Sequence, residues 1–283
     1  MNSKITDLTG TFRLHNGLDL PYLGLGTYMP KDSQEVTNSV RVALNHGYRL
    51  IDTAAIYRNE NDVRLGIAAS NVPREDIFVT SKVWNSDHGY DKTIKAFERS
   101  LSNLQMDYLD VYLIHWPVVG KYKETWSALE ELYKQGKVRA IGVCNFLKHQ
   151  LEDLMENAEV IPMINQMEFH PYLVQQELID FCKELNIQYQ AWSPLMQGKV
   201  FEIPELKELS QKYDKSIAQI VLRYNLQKEI ICIPKSSKEK RIVDNANIFD
   251  FEITTNDMDL INAMDRNHRT GPDPDNFEWS VVL

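Results

Sequence analysis

Apolar positions along this chain follow two rhythms in turn. Short strand-like runs fall at Tyr22–Leu25, Arg49–Asp52, Ile77–Lys82, Asp110–His115, Arg139–Val143, Met163–Gln166, Gln188–Trp192 and Ile230–Ile233. Between them the apolar spacing is helical. One such stretch is Ser33–His46, which stops at Gly47 and carries Val36, Val40 and Ala43/Leu44 on one face. Others are Lys92–Leu104, Thr125–Lys134 stopping at Gly136, Gln175–Leu185 and Ser216–Gln227. Eight strands alternating with helices predict an all-parallel α/β sheet. Ahead of this alternation, Thr11 to Pro21 reads TFRLHNGLDLP, two short runs around Asn16-Gly17. Asn-Gly is the strongest short-range signal for a tight hairpin.

The polar residues add a positional fact. Asp52, Lys82, His115, Gln166 and Trp192 each end a predicted strand, Asn145 comes just past the fifth, and Lys235-Ser236 follow the eighth. In a (β/α)8 barrel these ends converge on one face, where active sites are built. Taken singly, each is more often a cap, a solvated charge or a hydrogen-bonded side chain. Their shared position at one end of successive strands argues for a common pocket.

Composition narrows the class. The chain has 283 residues, 43% of them apolar and 25% charged, enough for a sizeable core. A net charge of −9 argues against general affinity for nucleic acid or an anionic membrane, so an anionic ligand needs a local basic cluster. Cys144, Cys182 and Cys232 are far apart and odd in number, which suggests neither a disulfide framework nor a zinc site. The opening MNSKITDLTG lacks a signal peptide's apolar stretch, and no run is long enough to span a bilayer. A cytosolic location is the default expectation. With no linker or repeat dividing it, residues 1–283 read as one domain.

Tyr57, in DTAAIY, suggests the chemistry. A free phenol titrates near ~10, too high for easy proton donation at neutral pH. An adjacent ammonium lowers that value. Lys82 could act so, with Asp52 holding it charged and in place, while His115 donates a hydrogen bond to a substrate carbonyl. Such a quartet suits general acid catalysis of carbonyl reduction. The hydride donor should be a nicotinamide, yet Gly24-Leu25-Gly26 is followed by Thr27, Tyr28 and Met29, so no GxGxxG is present. A phosphate loop of the GxxxxGK[ST] type is also missing, and a closed barrel is therefore favoured over an open doubly wound sheet. The stretch IPKSSKEKRIVDNAN, from Ile233, offers Lys235, Ser236 and Arg241 with the helix start that follows as a phosphate site. Its plainer reading is a solvated charge run with a serine cap.

These residues resemble the aldo-keto reductase superfamily over essentially the whole chain. The segments LHNGLDLPYLGLGTY, GYRLIDTAAIYRNE, VTSKVW, YLDVYLIHWP, KVRAIGVCNF, INQMEFHP, AWSPL and IPKSSKEKRIVDNANIF look like the family's signatures, in its order. Within the family the chain is most similar to microbial reductases of diketo-gluconate, glyoxal and methylglyoxal and to protozoan prostaglandin F synthases. The resemblance implies a single TIM barrel with an N-terminal β-hairpin and extra helices near the C-terminus. It implies NADPH/NADP+ as cofactor, Tyr57 as proton donor, Lys82 and Asp52 as its tuning pair, and His115 orienting the carbonyl. Asn145 and Gln166 would hold the carboxamide, Trp192 would stack on the nicotinamide, and Ser193 and Leu195 would lie along the pyrophosphate. Lys235, Ser236 and Arg241 would take the 2′-phosphate and Asn245 the adenine. Tyr28, Trp84 and Trp116, with His115, would line the substrate pocket.

Two departures stand out. Cys144 replaces the family's usual Ser, and a thiol donates a weaker hydrogen bond. Asp244 stands where Glu is common, one methylene shorter. Only eight residues separate Pro117 from Trp126, and the tail from Gly271 is short. Mammalian members carry a long loop there, so the resemblance implies a shallow, open pocket that fits small dicarbonyls and aldehydes. A monomer acting on small carbonyl compounds, with no metal, is expected. Two other readings remain at this point: an NADPH-binding sensor or regulatory barrel, and a different barrel chemistry such as an isomerase or metal-dependent hydrolase. The latter needs ligand clusters that the seven histidines do not form. Trp126 and Phe181 are expected in the core, and His170 in a structural role.

Overall fold

A computed structural model describes residues 5–28 and 32–276. Residues 277–283 of the short tail lie outside the described residues, as does Met29. The chain opens with an antiparallel hairpin, β1 (Thr11–Arg13) and β2 (Asp19–Pro21), with Phe12 opposite Leu20. The turn is wider than Asn16-Gly17 alone implies. Leu14 N–H bonds Leu18 C=O at 2.9 Å, Gly17 N–H bonds Leu14 C=O at 2.9 Å, and only Gly17 has positive φ, at 87°. A three-residue loop ending in a left-handed glycine therefore replaces the two-residue turn. Asn16 Nδ2 donates to Arg139 C=O at 3.0 Å, which ties the hairpin to the N-terminal ends of the barrel strands.

Eight parallel strands follow: β3 (Gly24–Gly26), β4 (Leu50–Asp52), β5 (Phe78–Val83), β6 (Leu109–Ile114), β7 (Val138–Cys144), β8 (Ile164–Glu168), β9 (Gln188–Trp192) and β10 (Ile231–Cys232). Each pairs with the next in sequence. Parallel bridges Leu23–Cys232 and Gly26–Lys235 join the first to the last and close the barrel. Gly26 is needed at this seam: a Cβ there would sit 2.8 Å from the Ile233 carbonyl oxygen.

The helices are α1 (Ser33–His46), α2 (Glu60–Ala68), α3 (Tyr90–Leu104), α4 (Tyr122–Lys134), α5 (Lys148–Met155), α6 (Gln176–Glu184), α7 (Pro204–Tyr213), α8 (Ile217–Gln227), α9 (Glu239–Ala246) and α10 (Thr255–Asn262). Helix α1 has the limits expected from its pattern. Asp32 accepts the Glu35 N–H at 2.9 Å, and left-handed Gly47, φ 112°, ends it. Helix α8 begins with a reciprocal Ser216–Gln219 capping box. Helices α3 and α4 start earlier than their apolar spacing suggests. Helices α2, α5 and α7 gave no signal, because their buried faces are short or polar; α2 buries Glu60, Val63 and Gly66.

One apolar core runs from the hairpin (Phe12, Leu20) through the strands (Ile51, Val79, Val111, Ile141) to the helices (Val40, Phe97, Leu222). Trp126 belongs to it, with its Nε1–H on the Val160 carbonyl at 3.1 Å, and Phe181 packs against its edge. No described helix is long and apolar enough to cross a membrane.

Candidate active site

The loop after β4 presents Asp52 and Tyr57. Its path is pinned by Asn59, whose Nδ2 donates to Thr27 C=O at 2.8 Å and whose Oδ1 accepts from Thr53 Oγ1 at 2.7 Å. A short 3-10 turn, Ala55–Tyr57, then carries the phenol over the strand ends. Lys82 of β5 is fully buried. Its Nζ donates to Asp52 Oδ1 at 2.6 Å and to Thr53 C=O at 3.0 Å, and lies 5.3 Å from the centre of the Tyr57 ring. A buried ammonium needs such partners, since desolvation without them costs several kcal/mol, on the order of the penalty for any buried ion.

His115 follows β6 and meets Tyr57 edge-on at 5.7 Å between ring centres, and Trp84 at 5.1 Å. Tyr28, half exposed, lies 4.9 Å from Tyr57 by the same measure. Trp116 is buried. Tyr57, His115, Tyr28 and Trp84 thus form one aromatic cluster beside the Lys82–Asp52 pair. Burial pushes His115 well below the usual imidazole range, and Lys82 and His88 add to this, so the ring is neutral. It can donate one hydrogen bond to a carbonyl oxygen.

Tyr57 departs from the expectation that Lys82 lowers its pKa. Burial pushes the phenol well above its ordinary value, and the Asp52 charge pushes the same way, with smaller contributions from Cys144 and Tyr28. Desolvation is the larger cause; in addition, Asp52, whose Oδ1 is 2.6 Å from Lys82 Nζ, sets a negative charge against the ammonium's field at the ring. The phenol is held protonated, and the Lys82 ammonium remains 5.3 Å from the centre of its ring.

The remaining strand-end residues join the same network. Asn145, left-handed at φ 65°, donates through Nδ2 to His115 C=O at 3.0 Å, with Cys144 Sγ 3.1 Å away. Its Oδ1 accepts from Trp192 Nε1 at 2.9 Å. Gln166 donates to Asp52 Oδ2 at 2.8 Å. Beyond β9 the backbone is left-handed at Ser193 (φ 52°), Met196 (49°), Gln197 (54°) and Gly198 (99°). Each such non-glycine costs about 1 kcal/mol or more, and strain of this kind clusters at ligand-binding loops. Leu195 in this loop is partly buried against the core.

A second, basic group sits on the seam. Lys235 lies beside Gly26 through the bridge that closes the barrel, with Nζ 4.0 Å from Glu35 Oε1. Ser236 Oγ accepts the Lys238 N–H at 3.2 Å in the turn entering α9. Arg241 is exposed in the first turn of α9, and Asn245 is buried further along it. Asp244 pairs with Lys240 at 2.7 Å.

Sequence reasoning passed over Gln190 and the Glu168 clamp. Gln190 is buried beside Gln166, and Glu168 is buried at the end of β8. Glu168 Oε1 accepts from His170 Nε2 at 3.1 Å, from Thr270 N–H at 2.7 Å and from the Thr270 hydroxyl, while Gly271 N–H reaches both carboxylate oxygens at 3.2 Å. Burial raises its pKa, but these hydrogen bonds prevail and the net shift is downward. The clamp seats Gly271 against the Trp192 indole. A period-two reading would have found both residues: 166 and 168 share one strand face, as do 190 and 192.

A model of the aldo/keto reductase family matches residues 22–266. The chain is 55% identical over 270 residues to a glyoxal reductase of Bacillus subtilis (strain 168), covering 95% of this chain and 98% of the relative. It is 41% identical over 269 residues to methylglyoxal reductase DkgA of Escherichia coli (strain K12), covering 94% and 97%. Among solved structures, a Bombyx mori aldo-keto reductase in complex with NADP superposes with a TM-score of 0.89 at 36% identity, covering 96% and 97%. On the matched family model, the sequence identity and the shared barrel, the chain belongs to the aldo/keto reductase family.

Proposed function

We propose that this chain reduces small aldehydes, ketones and α-dicarbonyls to alcohols with NADPH, Tyr57 giving the proton. The observation that carries this reading is the buried Lys82–Asp52 pair beneath a protonated Tyr57, with neutral His115 against the same ring. His115 holds the carbonyl oxygen by a hydrogen bond, which fixes its approach to Tyr57. As negative charge grows on that oxygen, the Tyr57 hydroxyl protonates it. The phenolate that results faces the Lys82 ammonium. The pair therefore stabilises charge where it develops, the largest single contribution in most such reactions.

The residues present fit NADPH. Asn145 and Gln166 offer buried amides for the carboxamide, and the partly buried Trp192 indole offers a ring to stack upon. Ser193 and Leu195 lie in the left-handed loop beside it, suited to a pyrophosphate. Lys235, Ser236 and Arg241 at the start of α9 suit a 2′-phosphate, and Asn245 the adenine. When bound, NADPH supplies the hydride. Tyr28, Trp84, Trp116 and His115 line the substrate side. A small polar carbonyl agrees with the dicarbonyls named for the relatives. The protein acts as one barrel domain over residues 1–283, as a cytosolic monomer without nucleic-acid or membrane partners.

The test follows NADPH oxidation with a panel of glyoxal, methylglyoxal and simple aldehydes, and measures cofactor choice in Arg241→Ala. The expected result is turnover on the panel, with NADPH affinity reduced at least tenfold in the variant, the scale of one lost charge-assisted bond at about 1.5–3 kcal/mol, and NADH affinity little changed. Equal losses for both cofactors would remove the phosphate assignment.

A further inference from the structure

Gln190 is a buried side chain at the barrel mouth with no task assigned so far. It lies on β9 opposite Gln166 of β8, two residues before Trp192 on the same strand face. Its Oε1 accepts from Gln166 Nε2 at 3.1 Å, while its own Nε2 is buried with no hydrogen-bond partner. An orphan donor in the barrel interior destabilises the fold relative to an apolar side chain of the same length. Packing therefore does not account for this residue.

The orientation of Gln166 does. Its Nε2 carries two protons. One goes to Asp52 Oδ2 at 2.8 Å and the other to Gln190 Oε1. Asp52 decides which end of the amide is nitrogen, because a carboxylate paired with Lys82 can only accept. With both protons committed, Gln166 can meet a ligand only through Oε1. That oxygen carries a single weak competing contact, from Cys144 Sγ at 3.6 Å. Without Gln190 the second proton is unpaired, and Gln166 can offer that N–H as well as Oε1 to a ligand that enters the mouth.

We propose that Gln190 is a positioning residue that holds Gln166 as a pure acceptor, so that the site takes the nicotinamide carboxamide by its NH2 and in one orientation. This rests on the NADPH reading above.

The test uses Gln190→Met, which keeps the side-chain length and removes both the acceptor and the orphan donor. Binding of NADPH and of its analogue with an acetyl group in place of the carboxamide is measured by tryptophan fluorescence, alongside Tm. Wild type should bind NADPH about tenfold more tightly than the analogue, the equivalent of one hydrogen bond. In Gln190→Met that ratio should fall toward one, with Tm unchanged or raised. A ratio unchanged in the variant overturns the inference, as does a lower NADPH affinity that tracks a lower Tm with the ratio kept. Should the variant not fold, the wild-type ratio decides: a value near one overturns the proposal, because no NH2-specific contact is then being made. Wild type that binds neither cofactor overturns the NADPH reading itself and is told apart by that absence.

Discussion

His115 faces three influences against positive charge: its own burial, the Lys82 ammonium and His88. His88 is itself pushed down to about 4 by burial, with Lys121 adding. Both rings are therefore neutral in the folded protein where an exposed histidine, near ~6.5, would be charging. The sign follows from proton counting. Below about 6.5 the unfolded chain takes up protons at these rings that the folded chain refuses, so stability falls with acid and is recovered as pH rises through that window. For catalysis, kcat/KM should show no acid limb near pH 6.5 attributable to His115. A limb there that vanishes in His115→Gln would contradict the neutral assignment. At this scale the sequence pointed to Asp52, Lys82 and His115 by their places at strand ends, and to Tyr57 by the DTAAIY segment in the loop after β4. It could not give their protonation, which depends on burial and on the 2.6 Å Lys82–Asp52 contact. Tyr57 shows the difference, since desolvation first and the Asp52 charge after it raise its pKa with an ammonium close by.

Among the elements, the segment through Thr270 and Gly271 is the part of the site least visible beforehand. It crosses from the end of α10 to the mouth and is held by Glu168. A Cβ at Gly271 would lie 2.4 Å from Trp192 Cη2 and 3.5 Å from Glu168 Oε2, so the two elements touch as closely as glycine permits. Gly271→Ala must therefore displace the indole or lift the strap. The expected result is NADPH binding weakened by about tenfold with a modest loss of Tm, overpacking typically costing about 1–3 kcal/mol. Unchanged cofactor affinity would show that the strap does not position Trp192. The net lowering of the Glu168 pKa sets the pH dependence of this clamp: its contribution is present above the ordinary carboxylate range and is lost as pH falls through the depressed value. Sequence periodicity found helices with a continuous apolar stripe, such as α1 and α8. It missed α2, whose buried Gly66 lies so close to α1 that a Cβ there would meet Val40 Cβ at 2.6 Å, a helix contact that leaves no apolar signature.

The whole molecule explains why so much of the site was legible at all. In a closed parallel barrel every strand runs toward the same mouth, so residues as distant as Asp52 and Gln166 meet at 2.8 Å. Alternation of strands and helices was enough to predict that convergence. Closure itself was not written in the pattern: it depends on the Gly26–Lys235 and Leu23–Cys232 bridges and on a last strand of only two residues. The same closure puts Lys235 on the seam, beside the mouth it is proposed to serve. The central claim is that this mouth reduces carbonyls by a proton from Tyr57. It is tested most directly by comparing wild type and Tyr57→Phe for methylglyoxal-dependent NADPH oxidation and for NADPH binding. The account predicts kcat reduced by at least about 10²-fold in the variant, the scale of general acid catalysis, with NADPH affinity retained. Turnover by Tyr57→Phe at the wild-type rate would contradict it, as would a wild-type protein that binds NADPH tightly and reduces no carbonyl.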